Sequence, residues 1–346
     1  MCRAVAIAAA IVAFASAPAA SAADVSCSRV AAPYGFDSAA GTVTSPFRSV
    51  QRLASSLSAG QTGCLRAGTY TGDVKVARGG TSSARLTLRN YPGEKAIVRG
   101  RLWIARGADY VTVENLYLNG VNASNLPSPT VNAVSTVFRR NDVTNDHTAI
   151  CFNLGHSTYG QAVGTLIENN RIHDCGRLPA TNHDHGVYVA RAGFTTIRDN
   201  WIYENADRGI QLYPNAQFTW ITGNVIDGNG QGIAFGGRGS DSSDDTQVEG
   251  NVISNSRLRY NVESHYDAGV PPGRGNVVRR NCISGGTRDD GDGGIDPTPE
   301  GFSASSNTTA SGALAFVDRP ARDFRPVAGS ICASVAPNTA IVPGPQ

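Results

Sequence analysis

Residues 182–200, NHDHGVYVARAGFTTIRDN, set two histidines around an aspartate directly before a strand-like alternation. The chemistry open to His183, Asp184 and His185 is proton transfer near neutral pH, because imidazole titrates there. Further along, Asp207-Arg208 pairs a carboxylate with a guanidinium, whose fork matches an anionic oxygen pair. Tyr188 and Tyr213 add hydroxyls able to donate a proton. Two histidines at i, i+2 without further ligands make a weak metal pattern, so no metal site is expected. The plainer reading of these charges is a solvated ladder that discourages strand-edge pairing.

Whatever these groups do depends on what positions them. Met1-Cys2-Arg3, an Ala-rich apolar run to Ala17 and small residues up to Ala23 read as a cleaved secretory leader over residues 1–23. The apolar run is too short for a membrane span, so the exported chain is expected free of the membrane. Cleavage removes Cys2 and leaves Cys27, Cys64, Cys151, Cys175, Cys282 and Cys332, an even set that suits three disulfides. Pairing neighbours in sequence gives 27–64, 151–175 and 282–332 as the simplest of the possible connectivities. Formal charge is +2, with Lys75 and Lys95 the only lysines. No basic block is interleaved with aromatics, so nucleic acid is not an expected partner. Abundant Gly and Asn with few aromatics suit a turn-rich β protein.

The organising feature is a repeat. LIENNRIHDC, TIRDNWIYEN, WITGNVIDGN, QVEGNVISNS and VVRRNCISGG align on Asn170, Asn200, Asn224, Asn251 and Asn281. Weaker members place Asn141, Asn115 and Asn90 upstream, at steps of 24 to 30 residues throughout. Each unit holds short alternating pieces punctuated by Asn and Gly, with no helical spacing. Asn tolerates left-handed turns, and stacked Asn amides can bond the copy above and below. The pattern predicts an all-β chain: a single-stranded parallel β-helix solenoid of about eight coils, three strands per coil.

Three stretches resemble the right-handed parallel β-helix superfamily of pectate lyases and related polysaccharide lyases, epimerases and hydrolases. They are APYGFDSAAGTVTSPFRSVQRLASSLSAGQTGCLRAGTY (32–70), LTLRNYPGEKAIVRG (86–100) and ALAFVDRPARDFRPVAGS (313–330). The first is similar to an opening segment that leads into an amphipathic capping helix, here residues 46–57, with Phe47, Val50, Leu53 and Leu57 at helical spacing. The expected organisation is one β-helix domain over 24–346. It comprises a cap and opening segment (24–84), coils (85–285), a loop (286–312) and a C-terminal cap (313–346) pinned by Cys282–Cys332.

Strand alternation then assigns directions. Val187, Val189, Ile210, Leu212, Ile233, Phe235, Tyr260 and Val262 are expected inward. Cys151 or Asn153, Tyr188, Gln211, Ala234 and Asn261 form the outward row. Catalytic candidates are His183, Asp184, His185, Asp207 and Arg208; substrate contacts are His147, Tyr188, Gln211, Tyr213, Arg238, Glu263 and His265. The segment 176–185 is longer than its counterpart in the next coil, as functional insertions in solenoids are.

The resemblance implies a polysaccharide ligand and three readings. A lyase would cleave a uronan by β-elimination, with Arg208 neutralising the sugar carboxylate, His183 or His185 as base and Tyr188 or Tyr213 as acid. A glycoside hydrolase would use Asp184 and Asp207 as its carboxylate pair. A non-catalytic protein would bind glycan or a cell surface. The sequence departs from lyases of the superfamily that use a lysine from a middle or late coil, since Lys75 and Lys95 lie early, and HDHG only loosely resembles the epimerase signature Asp-Pro-His-Asp. No cofactor is required by these residues; Asp289, Asp290, Asp292 and Asp296 among glycines would suit calcium or a plain acidic loop. The expected state is a secreted monomer.

Overall fold

The computed structural model describes residues 26–309, 314, 316–335 and 344–345. The leader expected over 1–23 lies outside them, and no helix among them is long and apolar enough to cross a membrane. Three sheets of eleven, ten and ten strands run the length of the molecule, and the chain visits each in turn. Ten strands stack from Gly68–Thr71 to Thr308–Thr309, so nine turns separate first from last, slightly more than expected. Among the described strands pairing is parallel except in two short hairpins, Gly237–Arg238 with Asp241–Ser242 and Phe316–Asp318 with Asp323–Pro326.

The core follows from period-two patterning with branched residues at the inward positions. Phe138, Ile167, Ile197, Ile221, Val248 and Val278 stack in register in one sheet, all fully buried. Val143, Ile172, Ile202, Ile226, Ile253 and Ile283 do so in another. Each such side chain contributes about 1.5–3 kcal/mol by leaving water.

The asparagine ladder is continuous from Asn141 to Asn307. Each Nδ2 donates to the next Oδ1 at 2.9–3.0 Å, and each Oδ1 also accepts the preceding backbone N–H. Two details differ from expectation. The left-handed residue is the one before the ladder Asn (Arg140, Asn169, Asp199, Gly223, Gly250, Arg280, Ser306) rather than the Asn itself. Asn115 and Asn90 stand outside the ladder: Leu116 occupies the place, donating its N–H to Asn141 Oδ1, and Asn90 Oδ1 caps Ala96 N.

The capping helix is Val50–Ser56, shorter than residues 46–57, because Ser49 takes the N-cap and accepts from Arg52 N. It buries Val50, Leu53 and Ala54 against the first coil. All three disulfides join the neighbours in sequence: Cys27–Cys64, Cys151–Cys175 and Cys282–Cys332. Coiling extends beyond 85–285 at both ends. Thr62–Leu65, Gly68–Thr71 and Val74–Val76 already form a turn. Within 286–312, Phe302–Ser305 and Thr308–Thr309 continue the stacks, so that segment is only partly loop. The described part of 313–346 packs along the flank of the solenoid: Phe324 is buried against Trp201 and Tyr203.

Candidate functional site

The third sheet carries the site. Its outward row reads Asn153, Tyr188, Gln211, Ala234, Glu263, one residue per rung. Asn153 rather than Cys151 takes the first place, because Cys151 is buried in its disulfide. Glu263 replaces the expected Asn261, and Val262 pairs with Ile233, which leaves Tyr260 outside the core. The frame moves because Asn261 is a buried turn residue: its Oδ1 accepts from Ser256, and its Nδ2 donates to the Gly285 and Gly293 carbonyls.

The long segment 176–185 rises over this row from Cys175. Its base is fixed at Cys151 N, which donates to the His185 carbonyl. Asp207 holds its tip, with Oδ1 accepting from Asn182 N at 2.9 Å and Oδ2 from His183 N and Asp184 N at 2.9 and 2.8 Å. Asp184 in turn accepts from Arg177 Nε at 2.6 Å and Arg177 N at 3.2 Å. Both carboxylates are buried and committed to the loop, and neither lines the cleft. The expected carboxylate pair therefore positions the site instead of facing a substrate.

What faces the cleft is a cavity of about 270 Å³, at the small end for ligand sites. Tyr188, Gln211 and Ala234 make its floor, and Asn182, His183, His185 and Arg208 one wall. Tyr213, Gly237, His265 and Asp267 make the other. His185 is buried, meets the Tyr188 ring edge-on at 5.4 Å, and has no partner on Nδ1. Burial above all, then the Arg208 charge and His183, hold its pKa well below the usual imidazole range, so it is neutral. Arg208 donates to the Asn182 carbonyl at 3.0 Å while its buried Nε has no partner. Burial pulls the guanidinium pKa down, against Glu263 and Asp207. Burial, with Tyr213 beside it, pushes the Tyr188 hydroxyl up to about 12, so it keeps its proton.

Other expected contacts sit differently. Glu263, next to Ala234 in the row, is wholly buried and does not line the cavity, with Arg259 Nε 2.9 Å from one oxygen and no partner on the other; burial raises its pKa. His147 does not reach the cleft: its Nδ1 lies 3.0 Å from the Gly176 carbonyl and its Nε2 3.5 Å from Asp174. Arg238 is exposed beyond Gly237 and does not line the cavity. His265 and Asp267, 3.4 Å apart, form an exposed rim.

Asn182 and Gly237 went unread in the sequence. Asn182 carried one signal, a residue type at home in its left-handed conformation (φ 68°). Gly237 lies where a Cβ would meet the Asp241 carbonyl at 2.5 Å. Lys75 and Lys95 lie over Trp103 and Tyr117, away from the cleft. Among the described residues no three metal-ligating side chains converge. Asp289 of the acidic segment accepts from the backbone N–H of Gly291 and Gly293, so this carboxylate caps a turn.

Comparisons with known proteins agree with this architecture. A family model described as a right handed beta helix region matches residues 104–253. Pectate lyase PEL9 of Emericella nidulans is 43% identical over 70 residues, 20% of this chain and 17% of that protein. The uncharacterized protein YwoF of Bacillus subtilis is 35% identical over 68 residues, 20% of this chain and 14% of its own. The chain thus spans less than a fifth of either relative's length. The solved structure of XylC with xylose superposes with a TM-score of 0.62 at 15% identity, over 82% of this chain and 69% of that one. Pectate lyase Pel9A gives 0.57 at 14% identity, over 84% and 80%. At such identities the likeness is one of fold: by its ladders and coils the chain folds as a right-handed parallel β-helix.

Proposed function

We propose that the chain is an exported polysaccharide lyase that cleaves a uronic-acid-containing polymer by β-elimination in the cleft under the 176–185 loop. The observation that carries this reading is a neutral, buried His185 beside an Arg208 whose Nε has no protein partner, with two tyrosines in the same cavity. Elimination needs those parts. Arg208 pairs with the sugar carboxylate, whose charge otherwise opposes loss of the neighbouring C5 proton. The neutral imidazole takes that proton, the C4–oxygen bond breaks as the C4–C5 double bond forms, and Tyr188 or Tyr213 protonates the departing oxygen. The 43% match to a stretch of a pectate lyase and the three disulfides of an export-type chain point the same way.

Ultraviolet absorbance tests the reading, because elimination creates an unsaturated, absorbing sugar. The full chain is mixed with a panel of uronans, with and without calcium. A rise with time that His185→Ala abolishes is the expected result. A flat trace accompanied by new reducing ends would make the protein a hydrolase. Silence in both assays, with retained binding, would make it a glycan-binding protein.

A further inference from the structure

The outward row does not stop at the cleft. From Tyr188 it runs back through Asn153 and Thr130 to Trp103 and then Lys75, one residue per rung. Trp103 therefore stands three rungs from Tyr188, about 14 Å at ~4.8 Å per rung. The Lys75 Nζ lies 4.6 Å from the indole centroid and the Arg101 guanidinium carbon 5.0 Å. Tyr159, half exposed, meets the indole edge to face at 5.7 Å.

The surrounding segment is built to hold these rings in place. Trp103 Nε1 donates to Asn132 Oδ1 at 2.8 Å, and Asn132 Nδ2 donates to the Gly160 carbonyl at 2.7 Å. Arg106 donates to the carbonyls of Thr158 and Tyr159, both at 3.2 Å. Beside them opens a second concavity, lined by Arg106, His156, Gln161 and Arg191. Arg191 is matched by Asp241 at 2.6 Å, and Asp73 accepts from the Arg101 backbone N–H. Lys75, Arg101 and Arg106 outnumber that one remaining carboxylate.

Cations held over an indole beside a half-exposed tyrosine suit a sugar chain that bears carboxylates, since the Tyr159 ring can pack on an apolar sugar face while the cations meet the anions. We infer that this region is a distal subsite for a uronate residue of a polyuronate lying along the solenoid axis, three rungs from the cleft. The ligand's identity rests on reading the cleft as a uronan site; the subsite itself does not depend on turnover. Successive rungs repeat at close to the length of one sugar, so a single polymer can engage both places, and its affinity then exceeds that of either alone.

The test is direct binding of polygalacturonate to the full chain by affinity electrophoresis, with a fully methyl-esterified polymer as the neutral counterpart. Lys75 and Arg106 are exposed, so their replacement leaves the core intact. Lys75→Gln and Arg106→Gln are each expected to weaken binding by about tenfold, the size of one charge-assisted hydrogen bond. Lys75→Arg should restore it, and the methyl ester should bind all proteins weakly. Weakened binding in the glutamine variants together with a flat ultraviolet trace for the wild type would keep this subsite and sink the elimination reading, which separates the two. Unchanged binding in both glutamine variants, equal binding of the ester, or no binding of polygalacturonate by the wild type would overturn it.

Discussion

Arg208 and His185 share one small cavity, and the guanidinium bears on the protonation of the imidazole. Burial and then the guanidinium keep the imidazole neutral, and the imidazole contributes no competing charge to the carboxylate Arg208 is to receive. A folded-state pKa below the unfolded value means the unfolded chain takes up a proton that the native one refuses. Stability from this group is therefore present above about pH 6.5 and falls as pH drops below it. Followed by NMR, the His185 ring should titrate below about 6.5 in the wild type and at higher pH in Arg208→Gln. An unshifted midpoint would leave burial and His183 as the causes. The histidines and the arginine were legible from residue type and alternation. The role of Asp184 and Asp207 was not, because nothing in DHG or ADRG reveals that backbone N–H groups of the 176–185 segment will claim both carboxylates.

At the scale of the elements, the asparagine ladder is what makes successive turns stack in one register. Asn251 illustrates it: Nδ2 donates to Asn281 Oδ1 and to the Ile221 carbonyl, while Oδ1 accepts from both nitrogens of Asn224. The side chain is fully buried, so Asn251→Ala leaves the Asn224 N–H and the Ile221 carbonyl without partners, at about 1–3 kcal/mol each. Asn251→Asp keeps the shape but sets carboxylate oxygen against Asn281 Oδ1, and should cost more than Ala. Denaturant midpoints decide between them; equal losses would mean that the ladder acts by packing alone. This element was readable because Asn recurs before a branched residue in every coil. The frame of the last strand of the site was not, since the turn from Ser256 to Asn261 is held by side-chain bonds that break the alternation.

Across the whole molecule, the outer flank carries a second buried histidine whose pull is opposite. His173 is stacked on Tyr203 and bonded to Asp142 at 3.2 Å and Asp174 at 2.8 Å. Burial draws its pKa down, but the two carboxylates outweigh it and the ring stays protonated to higher pH than usual. Asp174 also meets Arg322 at 3.2 Å and His147 at 3.5 Å, and Arg322 lies over Tyr203, so the charged ring helps hold the C-terminal hairpin on the solenoid. A raised folded-state pKa contributes stability that is complete below the unfolded value and is lost as pH rises through the folded one. The difference in melting temperature between wild type and His173→Gln should thus be largest below about pH 6.5 and shrink at higher pH. Limited proteolysis of the 316–335 segment should follow the same course, with the variant cut faster at low pH. A melting difference constant across pH would show that His173 acts only by filling space against Tyr203, and that the hairpin is held by Phe324 and the Cys282–Cys332 bond.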